Sequence, residues 1–190
     1  MRIDKSVLLV TGMPGAGKSI FIEAACSLSI PVYVMGDVVR EEAEKRGLAP
    51  EDKVLGKIAL ELRRTFGDEI IAKRISEKIA RDRSRLIMID GVRSLDEVEY
   101  FRKIFSNVII VAVHASPQTR FHRLLKRRRE DDPQSWEEFV ERDRRELKIG
   151  IGNVIALADV MLVNENISRE AFYKLVFKKL KELIESEDKG

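Results

Sequence analysis

One cysteine, two histidines, one tryptophan and a net charge of only +3 are little to find in 190 residues, and each scarcity closes off a class of function. With Cys26 alone, no disulfide can form within the chain and no cysteine-based metal site exists. A cysteine late on a helix is expected to pack inside. His114 and His122 have no second ligand at metal spacing, so both are read as structural or exposed. The charge of +3 is the balance of 35 Lys and Arg against 32 Asp and Glu, mixed along the chain. Around the run Arg127-Arg128-Arg129, residues 120–148 hold ten basic and eight acidic side chains. A stripe for a phosphate backbone would not be diluted that far, so no nucleic-acid partner is expected. No apolar run approaches membrane-spanning length, and the charged first residues lead straight toward a strand. A cytoplasmic protein with no signal peptide and no membrane partner is the expectation. Internal repeats, low-complexity tracts and Gly/Ser linkers are lacking too.

What is present is a core and an ion-paired surface. Hydrophobic residues make up 44% and charged residues 35% of a chain long enough for one compact domain, expected to span 1–190. Short apolar runs stand at Val7–Val10, Val32–Met35, Leu86–Ile89, Val108–Val113 and Val160–Val163. Continuous runs of this kind suit strands buried on both faces of a parallel sheet. Between them lie helical patterns. Ile70, Ile71, Ile75 and Ile79 share one face, as do Phe172, Leu175, Val176, Leu180 and Leu183. Alternating strands and helices predict a three-layer, doubly wound α/β fold of five strands. Two excursions exceed what a crossover helix needs, residues 36–83 and 114–159. Ligands of such sheets bind at the carboxyl ends of the strands, so both are candidate substrate flaps.

The first strand runs into Gly12-Met13-Pro14-Gly15-Ala16-Gly17-Lys18-Ser19, followed by an amphipathic stretch. This is G-x-x-x-x-G-K-S between a strand and a helix, which cradles phosphates on backbone N–H groups at a helix N-terminus. Lys18 is assigned to the terminal phosphates and catalysis, and Ser19 to Mg²⁺. Asp90, ending the third strand, is the second candidate Mg²⁺ ligand.

The second strand is followed by Gly36-Asp37-Val38-Val39-Arg40 and the third by Asp90-Gly91-Val92-Arg93. Arg40 lies one helical turn after Asp37 and can share its face. An acid and an arginine at two neighbouring strand ends suit a second anionic group, so Asp37, Arg40 and Arg93 are assigned to the acceptor.

These elements resemble the P-loop nucleoside monophosphate kinases, adenylate kinase above all. GDVVR is similar to that family's acceptor-helix motif, and DGVR to the motif after its third strand, one residue shorter. Arg123-Leu-Leu-Lys-Arg127 resembles paired lid arginines, and Arg129, with Arg142 beyond it, resembles those on the lid's far side. Ala158-Asp159-Val160-Met161-Leu162-Val163-Asn164 resembles the closing strand of dephospho-CoA kinases. GVRS and RDRRE are similar to an archaeal group described as dephospho-CoA-kinase-like or adenylate-kinase-related. The Asp-x-Asp of bacterial dephospho-CoA kinases is replaced by Gly36-Asp37.

The resemblance implies strand order 2-3-1-4-5, an acceptor-binding insertion at 36–83 and a short lid at 116–148, built as a helix–turn–helix broken near Pro133. It implies ATP and Mg²⁺ as cofactors, Arg123, Arg127 and Arg142 as catalytic lid residues, and Arg129 on the substrate. Arg123 and Arg127, one turn apart, are expected to reach one target, or Arg127 to lie over the adenine. Asn164 is expected beside the adenine. Trp136 is expected to pack the lid helices. The implied reaction moves the γ-phosphate of ATP to a nucleotide-like small molecule. AMP is preferred because two arginines face the acceptor. Dephospho-CoA, phosphorylated on a ribose hydroxyl, is the alternative, with Asp37 then the general base. An ATPase or nucleotide-dependent switch without an acceptor is the rival from another class. The oligomeric state is left open.

Overall fold

The computed structural model describes residues 2–129 and 131–187. Five strands, β1 (Ile3–Thr11), β2 (Val32–Val34), β3 (Leu86–Asp90), β4 (Phe105–His114) and β5 (Val160–Val163), form one sheet in the order β2-β3-β1-β4-β5. All four pairings are parallel. The architecture and strand order are those implied by the resemblance.

Alternation along β1 explains why its run is apolar throughout. Val7 and Leu9 enter one core and Leu8 and Val10 the other. The first core joins β1 to α2 (Met35–Lys45), α3 (Asp52–Phe66), α4 (Ile70–Ile79), α5 (Leu95–Ile104) and α8 (Ile151–Ala156). The second packs α1 (Lys18–Ser27) and α9 (Arg169–Glu187) on the opposite face. A strand with a helical layer on each side has no polar face to offer.

Several boundaries differ from the apolar runs. β1 extends back to Ile3 and β4 to Phe105, because backbone pairing with neighbours carries the strands past their most apolar residues. β2 is three residues long, and Met35 opens α2 rather than closing the strand. The long excursion after β2 holds α2, α3 and α4. The one after β4 holds α6 (Pro117–Arg127), a turn containing Pro133, α7 (Trp136–Ile149) and the unanticipated α8. Cys26 is exposed, not packed inside. Ile20, Phe21, Ala24 and Ala25 form the buried face of α1, and one further residue turns the next side chain about 100° away.

Candidate active site

A cleft of about 1060 Å³ opens at the carboxyl end of the sheet. Every residue assigned from the sequence lines it, except Met13 and Ala16, which are bonded to each other through the backbone of the loop.

The phosphate loop is built from both sides. From below, α1 begins at Gly17 with no side-chain cap and no acidic residue in its first turn, which leaves its N–H groups and dipole to an anion. Within the loop, Ala16 N–H donates to Met13 O at 3.1 Å. From above, α6 presses on it. Arg120 donates to Pro14 O at 3.2 Å, and a Cβ on Gly15 would lie 2.7 Å from Arg120 O. Gly15 also has φ +82°, so glycine is required there twice over. Arg120 is itself held by a fork to Asp143 of α7, at 2.8 and 2.6 Å. Lys18 Nζ donates to Gly12 O at 2.5 Å. Burial lowers the Lys18 pKa, with Asp90 pulling the other way.

Asp90 ends β3, pairing with Val10 of β1 and Val34 of β2. It is buried, and its Oδ1 has no hydrogen-bond partner among the described residues. Burial raises its carboxyl pKa, opposed by Lys18 and Arg93. Asp90 lines the same cleft as the exposed Ser19, and its orphaned, buried carboxylate oxygen fits a hard divalent cation that takes oxygen ligands and keeps several waters. Among the described residues no cluster of three His, Cys, Asp or Glu side chains could hold a metal by itself. His114 and His122 are both exposed, as expected.

Across the cleft, after β2, Asp37 lies in the first turn of α2 and accepts from Arg40 at 2.5 Å, as their spacing predicts. Arg93 faces Glu146 of α7 at 3.1 Å, and Glu146 raises its pKa. The Arg93 backbone N–H donates to Glu97 Oε2 at 2.8 Å. Glu97 closes a capping box with Ser94 and accepts from Arg63 of α3 at 2.6 Å, which fixes the turn after β3.

The arginines of α6 do not share a target. Arg123 donates to Asn164 O at 2.9 Å and to its Oδ1 at 3.2 Å. Burial lowers the Arg123 pKa. Arg127 instead forks onto Asp132 of the α6–α7 turn, at 2.9 and 2.5 Å. A carboxylate in fork geometry outcompetes a carbonyl, and one lies within reach. Arg142 also has carboxylates on all sides. Asp52 lies 3.3 Å away, Asp131 Oδ2 3.4 Å and Asp132 Oδ1 3.7 Å. Arg129 lines the cleft through its side chain and donates its backbone N–H to Asp132 at 3.0 Å. Asn164, expected near the base, is buried and donates to Ala16 O at 2.9 Å, tying β5 to the loop. Trp136 packs on Phe121 and Phe139, with ring centroids 5.3 and 5.1 Å away.

Sequence reasoning missed Glu146, Asp52 and Asp132. RDRRE spaces Arg142, Arg145 and Glu146 at i, i+3 and i+4, one helical face, which was a readable signal. Asp52 and Asp132 had none, since each acts on residues distant in sequence or across a turn.

A family model described as AAA domain matches residues 11–140. A UPF0200 protein of Hyperthermus butylicus is 54% identical, over 87% of this chain and 88% of that protein. A second, from Staphylothermus marinus, is 47% identical over 96% of this chain and 95% of its own length. Among solved structures, TT1252 from Thermus thermophilus superposes with TM-score 0.62 at 19% identity, covering 94% of this chain and 99% of that one. A shikimate kinase from Acinetobacter baumannii, solved with shikimate, does so with TM-score 0.62 at 16% identity, covering 96% and 94%. At those identities the structural likeness shows a shared fold.

Proposed function

The chain belongs to the UPF0200 family, and on that premise we propose that it is an ATP-dependent phosphotransferase acting on a nucleotide-like small molecule. The observation that carries this reading is the single cleft in which the phosphate loop and the acid–arginine strand ends face each other. An ATPase or switch would have no use for the second half.

In this reading the loop N–H groups and the α1 N-terminus hold the β- and γ-phosphates, and Lys18 neutralises charge on the moving phosphoryl group. Lys18 leaves the Gly12 carbonyl to do so. Ser19 and Asp90 are the residues that would hold Mg²⁺, which supplies charge neutralisation between phosphates when bound. The segment 116–148 acts as a lid and 36–83 as the acceptor-binding insertion. The lid's Arg123 makes no carboxylate ion pair among the described residues, though Glu165 lies near it, and it can turn from Asn164 to the nucleotide. Arg127 and Arg142 reach it by leaving Asp132 and its neighbours. Closure excludes water, which would otherwise take the phosphoryl group.

For the acceptor, Arg40, Arg93 and Arg129 support a phosphate group, and with it a nucleoside monophosphate such as AMP. One observation favours the second reading. Arg40 already carries Asp37 and Arg93 already carries Glu146, so two of these three positive charges are matched. A hydroxyl acceptor, as on the ribose of dephospho-CoA, needs a carboxylate more than a free cation, and Asp37 supplies one. The test is single-turnover transfer from γ-labelled ATP to a panel of nucleoside monophosphates and dephospho-CoA. Label appearing in one of these products supports the reading. Label appearing only in inorganic phosphate overturns it in favour of an ATPase.

A further inference from the structure

One carboxylate joins the acceptor insertion to the lid. Asp52 is the first residue of α3, on the acceptor side. Its Oδ1 lies at ion-pair distance, 3.3 Å, from Arg142 Nε, which makes no hydrogen bond among the described residues, and its Oδ2 accepts a short hydrogen bond from Arg145. Both arginines belong to α7, on the lid side, about 90 residues further along the chain. Half-buried, Asp52 is not a surface pair of the kind that contributes little.

A second observation at the same contact is independent of charge. Gly56, one turn after Asp52, lies under the Arg145 side chain. A Cβ on Gly56 would stand 3.1 Å from Arg145 Nε and 3.3 Å from Cδ. Glycine inside a helix is unfavourable relative to alanine. Here it leaves room for the arginine that Asp52 holds. The far side of Arg142 is fixed by the α6–α7 turn, where it donates to Asp131 O at 2.6 Å. Arg142 therefore has a lid anchor and an acceptor-side anchor at once.

We infer that Asp52 is a positioning residue that couples the two mobile parts of the cleft: the lid arginine Arg142 is held in place only when α3 has closed beneath it. The inference rests on the phosphotransferase reading for its purpose. Closure of the lid over ATP with the acceptor helix open would admit water, and a bridge that forms only when both are closed ties lid closure to the acceptor side. The contact itself can be tested without any acceptor.

Spin labels are introduced at Lys57→Cys on α3 and Glu141→Cys on α7, in a Cys26→Ser background. Both label sites are exposed and make no ion pair among the described residues. Pulsed dipolar spectroscopy with Mg-ADP reads the distance between them. A narrow distribution is expected in the parent, shifting to longer distances in Asp52→Asn. Arg145→Ala leaves the charge at the α3 N-terminus and the Asp52–Arg142 contact intact, so it separates the bridge from a helix-end effect, and it should give a smaller shift in the same direction. Asp52→Asn combined with Arg145→Ala should add nothing further, and Asp52→Glu should restore most of the parent distribution. Mg-ADP affinity by calorimetry should stay within about twofold throughout, because no variant touches the phosphate loop. An unchanged distribution in Asp52→Asn and Arg145→Ala, or shifts that simply add, would overturn the coupling. Failure to phosphorylate any acceptor would sink the functional reading and leave this measurement standing.

Discussion

Asn164 Nδ2 stands 2.3 Å from where a Cβ on Gly17 would be, while donating to the carbonyl of Ala16 at 2.9 Å. The end of β5 is thus locked to the turn that starts α1, and the lock admits no side chain at Gly17. Gly17 also has φ +109°. Gly17→Ala should therefore lose about 1–3 kcal/mol to backbone strain alone, before any clash, and lose ATP affinity with it. Asn164→Ala should relieve the clash but leave the strain, and it costs about 1–2 kcal/mol through the lost buried hydrogen bonds. Melting of the two single variants and the double would check this. A Gly17→Ala protein as stable as the parent would contradict the geometry.

Lys18→Ala should keep the fold, since Nζ bonds only loop carbonyls, at 2.5 and 3.5 Å. Turnover should fall about 10²–10³-fold, as when one preorganised donor to developing charge is removed. Circular dichroism and steady-state rates on one preparation suffice. Near-parental turnover would remove the phosphate loop from the mechanism.

Asp90→Asn tests the cation site. With the orphaned Oδ1 replaced by an amide group, ADP should still raise the melting temperature by mass action. The further rise on adding Mg²⁺, expected in the parent, should disappear. If Mg²⁺ stabilises the variant as much as the parent, Asp90 is only an acid at a strand end.

The residues that could be read from sequence share one property: their role is local. The phosphate loop, the strand ends and the Asp37–Arg40 pair are fixed by spacings of a few residues, and the structure keeps them. The apolar runs showed β1 and β4 but not their ends, because pairing rather than hydrophobicity carries a strand to Ile3 or Phe105. What escaped was set by tertiary approach. Arg142 is as basic in the sequence as Arg123, yet three carboxylates from two distant segments surround it. Arg123 and Arg127 share a helical face and still part, because Asp132 intercepts one of them. The capping box at Ser94–Glu97 was legible but passed over, and through Glu97 it positions Arg93.

The single tryptophan opens α7, beside the α6–α7 turn proposed as a lid, and should report on it. Asp132 is buried, which pushes its carboxyl up. The fork from Arg127 and the Arg129 N–H outweigh this and hold it below the usual range. A carboxyl lowered in the folded state contributes stability above its unfolded pKa, about 4, and loses it as pH falls through the lower folded value. Trp136 is 42% exposed but packs on Phe121 and Phe139, so its emission should change as those contacts loosen below about pH 4, ahead of the loss of far-UV circular dichroism. In Asp132→Asn the lid should already be loosened at pH 7, with no such acid step remaining. Coincident transitions in the parent would mean that Asp132 holds the whole fold and not the lid.

The acceptor can be identified by comparing Asp37, Arg40 and Glu146. If a hydroxyl is phosphorylated, Asp37 takes its proton, so Asp37→Asn should cost about 10²–10⁴ in rate and flatten the acid limb of the rate profile. If a phosphate is phosphorylated, it is already an anionic nucleophile near pH 7 and needs no base. Asp37→Asn should then cost less and be partly rescued by added Mg²⁺, while Arg40→Ala raises the acceptor KM. Glu146 sharpens the contrast, because it pairs with Arg93 at 3.1 Å. Glu146→Gln frees that arginine, which should lower the KM of a phosphate acceptor and do nothing for a hydroxyl one. The matched charges around Arg40 and Arg93 favour the hydroxyl outcome. A small Asp37→Asn effect, together with a lower AMP KM in Glu146→Gln, would reverse that and make the acceptor a nucleoside monophosphate.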